Sequence, residues 1–164
     1  MTYIKAQNPI CDYIELHYQD ATLNGTKINW NIPNVYYSNL NSPMCTVSIV
    51  QCSIDNTTNT NINVKWIGSV QNGYSTRNSG VILGHLIRNF DGGALTKYYL
   101  NEADTVKILT PARPQSISLE LVTPDDVGEA LDATGDGFFL LKFEYYDHKA
   151  ALEGMINSTY PKTI

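Results

Sequence analysis

The chain has 164 residues, enough for one domain that buries about two thirds of its unfolded surface and too few for two independent cores. Charged residues make up 16% of it and the formal net charge is -5 at pH 7, so no basic field exists to attract a phosphate backbone, and direct binding to nucleic acid is not expected. No apolar run has the length of a signal peptide or of a membrane helix, so we expect synthesis in a cytosol and no transmembrane segment.

Strands in the first half of the chain are indicated by apolar residues that alternate with period two. Residues 13–18 place Ile14, Leu16 and Tyr18 on one face of a strand and Tyr13, Glu15 and His17 on the other. In residues 45–54 the apolar phase begins on Cys45, Val47 and Ile49 and then moves to Val50, Cys52 and Ile54. This shift predicts a β-bulge, or a strand that passes from one sheet to another.

Two further patterns occupy the middle of the chain. Residues 62–66 set Ile62, Val64 and Trp66 against Asn63 and Lys65, which again predicts a strand. Residues 81–90 are apolar at both parities, as expected of a strand covered on two sides or of a short buried helix. Gly84 inside this run favours a strand with a bend.

The clearest alternation lies near the C-terminus. Residues 116–122 bury Ile117, Leu119 and Leu121, and residues 139–146 give one apolar face made of Phe139, Leu141, Phe143 and Tyr145. Turn signals separate about eight or nine short strands, and helical periodicity is confined to residues 129–132 and 148–156. We therefore predict one all-β domain over residues 1–164, an antiparallel sandwich with Greek-key crossings, with terminal extensions at 1–10 and 148–164.

Several groups of residues resemble metal-binding or catalytic sites, but each has a simpler interpretation. Asp132, Thr134, Asp136 and Gly137 match the start of a calcium loop, but the twelfth position is Phe143 where a bidentate Glu is needed, so a hairpin turn is favoured. Asp125 and Asp126 are best explained as a solvated loop. The histidines are scattered, with His85 predicted to be a satisfied core or interface residue, and Cys11, Cys45 and Cys52 are expected to be free buried thiols. We predict no catalytic, cofactor-binding or metal-binding residues.

Tyrosine is the most abundant aromatic residue, with 11 copies. It occurs as adjacent pairs, so that in a strand one ring points inward and the other outward: Tyr36 and Tyr37, Tyr98 and Tyr99, and Tyr145 and Tyr146. Outward tyrosines suit protein interfaces and sugar-binding surfaces, and they also occur as ordinary half-exposed residues. The sequence leaves these alternatives open.

The segment from Ile108 to Asp126, followed by the segment from Gly135 to Asp147, resembles the C-terminal half of single jelly-roll capsid proteins. These are the penton and minor capsid proteins of large eukaryotic DNA viruses and virophages. The shared features are a loop with Pro111 and Pro114, a strand at 117–121, an acidic loop at 125–126 and a final strand at 139–146. They cover about a quarter of the chain, and no motif ties the N-terminal half to the family.

The resemblance implies a single jelly roll of about eight strands without catalytic activity. It implies a homopentamer at the fivefold vertices of a virion, in contact with major capsid protein capsomers and minor capsid proteins, and made in the host cytoplasm. Residues 148–164 then form either an arm that orders on a neighbouring copy or a locally packed terminus. The alternative function is a carbohydrate- or receptor-binding jelly-roll head of a viral fibre, with Trp66 and Tyr74 at the sugar. An enzyme of the cupin type is disfavoured because its paired histidines are missing.

Overall fold

The computed structural model describes residues 10–32, 43–56, 61–67, 81–89, 96–101, 106–124, 128–129 and 136–145. These residues form eleven β-strands and one short 3-10 helix at Tyr18–Asp20. The strands are β1 (Ile10–His17), β2 (Thr22–Asn24), β3 (Lys27–Asn31), β4 (Met44–Asn56), β5 (Ile62–Trp66), β6 (Val81–Asn89), β7 (Thr96–Leu100), β8 (Ile108–Pro111), β9 (Ser116–Val122), β10 (Gly128–Glu129) and β11 (Gly137–Tyr145).

The strand pairs are all antiparallel, and four of them are nested inside one another. The innermost pair is β5 with β6, and around it lie β4 with β8, β3 with β9 and β1 with β11. Two further pairs, β11 with β4 and β9 with β5, join these strands into the runs β1-β11-β4-β8 and β3-β9-β5-β6. Strand β7 links the runs, because it pairs with β4 on one side and with β6 on the other. Strands β2 and β10 add to β3 and β9.

The hydrophobic core lies between the two runs. Trp30 of β3 meets Phe139 of β11 edge to face at 5.6 Å between ring centroids, and Trp66 of β5 meets Phe143 of β11 in the same way at 6.4 Å. These strands do not pair with each other, so the contacts cross from one layer to the other. The predicted all-β antiparallel sandwich is therefore confirmed.

The predicted core faces are confirmed in the clearest strands. The four inward side chains of β11 and the three predicted in β9 are fully buried, and Ile14 and Leu16 of β1 are buried. Tyr18 is also buried, but it belongs to the 3-10 helix that follows β1. The described residues form eleven strands where eight or nine were expected, because β2, β7 and β10 are short additions to the nested set.

The phase shift in β4 is a β-bulge. Leu140 pairs with Gln51 and Leu141 pairs with Ile49, so Val50 has no opposite residue. The prediction that Val50 joins the buried face is wrong: its side chain is 39% exposed, and the buried phase resumes at Cys52. The bulge accommodates Val50 as an extra residue, so the apolar side chains of both halves of the 13-residue strand β4 point into the same core.

Residues 81–89 form a strand, which excludes the helix alternative for them. The register against β5 shifts next to Gly84, between Val64 and Lys65, in agreement with the predicted bend. In β5 itself the alternation is incomplete, because Asn63 and Lys65 on its outer side are buried as well.

The remaining predictions concern the chain ends and helices. Ile10, assigned to the N-terminal extension, is the first residue of β1 and pairs with Tyr145. The prediction of a helical turn at 129–132 is wrong for Glu129, which lies in β10. Residues 1–9 and 148–164, with the second helical segment, lie outside the described residues.

Candidate interaction surface

The two outer faces of the sandwich differ in chemistry. The outer face of β3, β9, β5 and β6 carries polar side chains bonded to each other. Ser118 Oγ donates to Asn29 Oδ1 at 2.6 Å and Thr26 Oγ1 donates to Glu120 Oε1 at 2.7 Å. A third contact joins His85 Nδ1 with Asn63 Oδ1. Hydroxyl and amide groups satisfy one another in this way where they are partly withdrawn from water, and Asn63 and Lys65 of β5 on this face are buried.

A line of outward side chains crosses β1, β11 and β4 of the other run and continues over the linking strand β7 onto β6. The register places Phe138 between His17 of β1 and Ser53 of β4, then Ser53 beside Tyr99 of β7, and Tyr99 beside Ile87 of β6. We call these five residues the apolar row: His17, Phe138, Ser53, Tyr99 and Ile87. With neighbouring strands about 4.8 Å apart, the row extends over roughly 20 Å.

The apolar row is open to solvent along much of its length. Ile87 is 53% exposed and Tyr99 is 43% exposed, while Phe138 is half-buried and its ring lies 6.5 Å from that of His17. Exposed Val50 and half-buried Leu140 lie beside the row and widen it. Polar Ser53 separates the apolar side chains of β11 from those of β7 and β6. Exposed aromatic and aliphatic side chains gathered on one face in this way suit a protein contact site.

Charged residues flank the row at both ends. On the side of β1, Glu15 Oε1 lies 3.0 Å from His17 Nε2, and both side chains are about half exposed. Asp136, exposed at the start of β11, accepts hydrogen bonds from the Gly137 N–H at 2.7 Å and from Gln19. On the far side, exposed Lys97 of β7 lies opposite Asp55 of β4. The row therefore has carboxylates near β1 and β11, and a pair of opposite charges, Lys97 and Asp55, near β7.

A buried carboxylate lies farther along β11 on the same outer face. Glu144 is 3% exposed, and its two oxygens meet Lys107 Nζ at 2.5 Å and Lys142 Nζ at 2.9 Å. Burial alone raises the pKa of Glu144, but the hydrogen bonds and charges of Lys107 and Lys142 outweigh burial and hold this pKa below its usual value. The same contact raises the pKa of Lys142. This arrangement fixes β11 against the segment that leads into β8.

The predicted tyrosine pattern is confirmed where the structure describes it. Tyr98 is fully buried and its neighbour Tyr99 points outward, and Tyr145 is buried at the end of β11. Tyr13, 58% exposed, is a second outward ring on the same face, two rows away from the apolar row. Tyr36, Tyr37 and Tyr146 lie outside the described residues.

Two predictions about individual side chains need correction. His85 has a hydrogen-bond partner in Asn63, as predicted, but it is exposed on the outer side of β6 and is not a core residue. Its alternative assignment to an interface stays a prediction. Trp66 is only 3% exposed and packs on Phe143, so its ring is not available to stack on a sugar. Tyr74, the other proposed sugar contact, lies outside the described residues, as do Asp125, Asp126, Asp132 and Thr134.

The cysteines are free, as predicted, but only Cys45 and Cys52 are buried, and Cys11 is half-buried. Burial raises the pKa of Cys45 to about 11, with a smaller contribution from the charge of Asp12, and burial also raises the pKa of Cys52. Both thiols are therefore protonated at neutral pH and are poor nucleophiles and metal ligands. Within the described residues, no three His, Cys, Asp or Glu side chains come together as metal ligands.

The apolar row is the feature that sequence reasoning missed. Its members are separated by up to 121 positions in the chain, and only the register of β1, β11, β4, β7 and β6 brings them together. The adjacent tyrosines at 98 and 99 were the one sequence signal that pointed to it.

Comparison of the chain with models of known protein families and with curated proteins finds no match in either case. In the part of the chain that the structure describes, no helix is long and apolar enough to cross a membrane.

Proposed function

We propose that this chain is a structural capsid protein, a single jelly roll that assembles as a homopentamer at the fivefold vertices of a viral shell. The observation that carries the proposal is the nesting of four antiparallel pairs, β5 with β6, β4 with β8, β3 with β9 and β1 with β11. A long antiparallel hairpin of four strand pairs, wound into two layers, is the description of a jelly roll, and viral capsid domains are among the proteins built on it.

The four nested strand pairs support the proposed jelly-roll fold, and the outer face of the sandwich supports the proposed role in assembly. A jelly roll hosts many functions, so function has to be argued from a site. Here the outer face of β1, β11, β4 and β7 presents outward tyrosines and the apolar row. Large, rigid aromatic surfaces of this kind favour contact with another protein. The proposed partners are other copies of the chain, major capsid protein capsomers and minor capsid proteins.

The C-terminal segment is assigned a role in this proposal. Strand β11 ends at Tyr145 and 19 residues follow it. Residues 148–164 are polar with a few apolar anchors, Leu152, Met155, Ile156 and Tyr160. This composition suits an arm that orders on a neighbouring copy.

Images of the purified full-length chain test the proposal. We expect ring-shaped particles with fivefold symmetry in two-dimensional class averages, and their fraction should rise with protein concentration. Trimeric particles that bind glycans would favour the fibre-head alternative. Particles of one chain at every concentration would contradict the capsid proposal.

A further inference from the structure

We infer that residues 148–160 of one copy form an amphipathic helix that binds the outer face of β11, β4 and β7 of the next copy. The inference rests on the proposed assembly and names the surface that receives the C-terminal segment. A segment that meets a different surface of its neighbour makes a heterologous contact, which is the kind that closes a ring. The contact is therefore compatible with a ring of five.

The receiving surface is a compact group of apolar side chains, which we call the receiving patch: Phe138, Leu140, Val50 and Tyr99. Phe138 and Leu140 are half-buried on β11, and Val50 and Tyr99 are 39% and 43% exposed. The register sets Ser53 between Phe138 and Tyr99, and its small side chain leaves room for a side chain of the partner. Because neighbouring strands lie about 4.8 Å apart, the patch is roughly 10 Å wide from β11 to β7.

The segment has apolar residues at the spacing of one helix face. Leu152, Met155, Ile156 and Tyr160 follow the order i, i+3, i+4 and i+8, which places them on a single stripe of an α-helix. At 1.5 Å per residue the stripe is about 12 Å long, close to the width of the receiving patch. Pro161 follows it, and helices usually end before a proline. Apolar anchors in this order are typical of a helix that binds an apolar groove.

The segment leaves its own sheet at the end away from the receiving patch. Tyr145, the last residue of β11, lies about 23 Å from Phe138 along the strand. A helix that ran back over its own β11 would bring Leu152 to the level of Lys142, about 10 Å from Tyr145. Its first apolar anchor would then cover an ammonium group that is paired with Glu144. On a neighbouring copy the helix starts elsewhere, so the whole stripe can lie on apolar side chains.

The charges also favour a neighbouring copy. In its own copy, Lys149 would lie over the cluster of Glu144 and its two lysine partners, which carries an excess of one positive charge. On a neighbour, the exposed carboxylates of Glu15 and Asp136 lie on the side of the receiving patch toward β1. A helix whose start points to that side places Lys149 near opposite charge. Complementary charges of this kind fix the orientation of a bound segment.

The first experiment joins the two surfaces with a short thiol-specific crosslinker. Full-length copies with Gln51→Cys are mixed with size-tagged copies with Thr159→Cys, both with Cys11→Ser to remove the half-buried native thiol. Gln51 is exposed and lies beside Leu140 of the patch, and Thr159 falls on the stripe, so neither change removes an apolar anchor. We expect a crosslinked product that contains one copy of each kind.

The control and the origin of the helix are tested with the same crosslinker. Thr22→Cys in place of Gln51→Cys is the matched control, because Thr22 is an exposed polar residue of β2, beside β3 in the other layer. It should give no mixed product. A chain that carries both Gln51→Cys and Thr159→Cys separates the two origins of the helix. Links between copies support the inference, and links only within one chain overturn it.

The second experiment measures the mass distribution of full-length variants by mass photometry and sedimentation. Ile156→Glu on the stripe and Tyr99→Glu on the patch should each weaken assembly by about tenfold or more, because each sets a charge against apolar side chains. Asn157→Glu is the matched control, since residue 157 points away from the stripe in a helix, and it should assemble like wild type. Thermal unfolding of each variant checks that it folds, and the crosslinks decide the question even if Tyr99→Glu unfolds.

The outcomes separate this inference from the proposed function. Rings of five whose copies give no crosslink, or assembly unchanged by Ile156→Glu and Tyr99→Glu, overturn the inference and leave the capsid proposal standing. Crosslinks between copies in assemblies other than rings of five support the contact and contradict the pentamer. Single chains at every concentration overturn both.

Discussion

The backbone of Gly137 lies against the carbonyl of Ser53 where β11 begins: a Cβ added at residue 137 would stand 2.4 Å from that oxygen and 2.8 Å from the Ile54 Cα. Both neighbours are backbone atoms and cannot move aside as a side chain can. The final strand of the sandwich therefore requires glycine at its first position.

We expect Gly137→Ala to destabilise the protein by about 2 kcal/mol or more, because β11 must shift away from β4. Chemical denaturation of the variant and wild type gives this difference. Gly25→Ala is the control: Gly25 has a φ of 61° and nothing within 4 Å of an added Cβ, so only the cost of a left-handed backbone, about 1 kcal/mol, applies. Equal losses in the two variants would contradict the close approach.

The Glu144 ion pairs predict acid sensitivity. Since the folded protein holds the pKa of Glu144 below its unfolded value, the pair contributes stability above pH of about 4.3. That contribution is lost as the pH falls from there through the lowered pKa of the folded state. Glu144→Gln should reduce the free energy of unfolding at pH 7 by about 2 kcal/mol and flatten its dependence on pH in the acid range.

Glu15→Gln is the matched control for Glu144→Gln. Glu15 pairs with His17 at the surface, where both side chains are about half exposed, and exposed pairs contribute about 0.5 kcal/mol or less. Denaturation curves measured from pH 3 to pH 7 separate the two variants. A pH dependence of Glu144→Gln that matches wild type would rule out this role for the cluster.

The cysteines should differ in reactivity. Cys45 and Cys52 are buried with raised pKa values, whereas Cys11 of β1 is half-buried. A thiol reagent at pH 8 is expected to label one cysteine per native chain and three per unfolded chain. Mass spectrometry of the labelled protein locates the label, and Cys11→Ser should abolish the fast reaction. Rapid native labelling of Cys52 would show that the core opens readily.

Removal of residues 148–164 tests the assembly arm. We expect the shortened chain to unfold at the temperature of the full chain, because the nested strands end at Tyr145, and to lose its higher-order assembly. Sedimentation compares the two chains. A shortened chain that assembles normally means that the segment is not an arm, and a lower unfolding temperature means that it packs on its own domain.

The sequence was sufficient to predict which strand faces pack in the core, and insufficient to predict which residues lie together on the outer faces. Alternation identified the buried faces of β9 and β11 because each strand has one side against the core. It failed at Val50, where a bulge reverses the phase, and at Lys65, where the outer face is also covered. The partners of such positions come from distant segments, and local patterns carry no information about them.

The apolar row could not be predicted from the sequence for the same reason. Tyr99 could be predicted to point outward, but its neighbours Ser53 and Ile87 depend on which strands lie beside β7 and in what register. Glu144 resembled an ordinary exposed residue of an alternating strand. Its burial depends on Lys107, which lies 37 positions earlier in the chain.

The most direct test of the proposed capsid role is a three-dimensional electron-microscopy map of particles purified from cells in which this chain is made. The account predicts density for the sandwich of β1 to β11 in five copies around each fivefold vertex. Density for the chain at the tip of a fibre, or a shell that lacks the chain altogether, would contradict it.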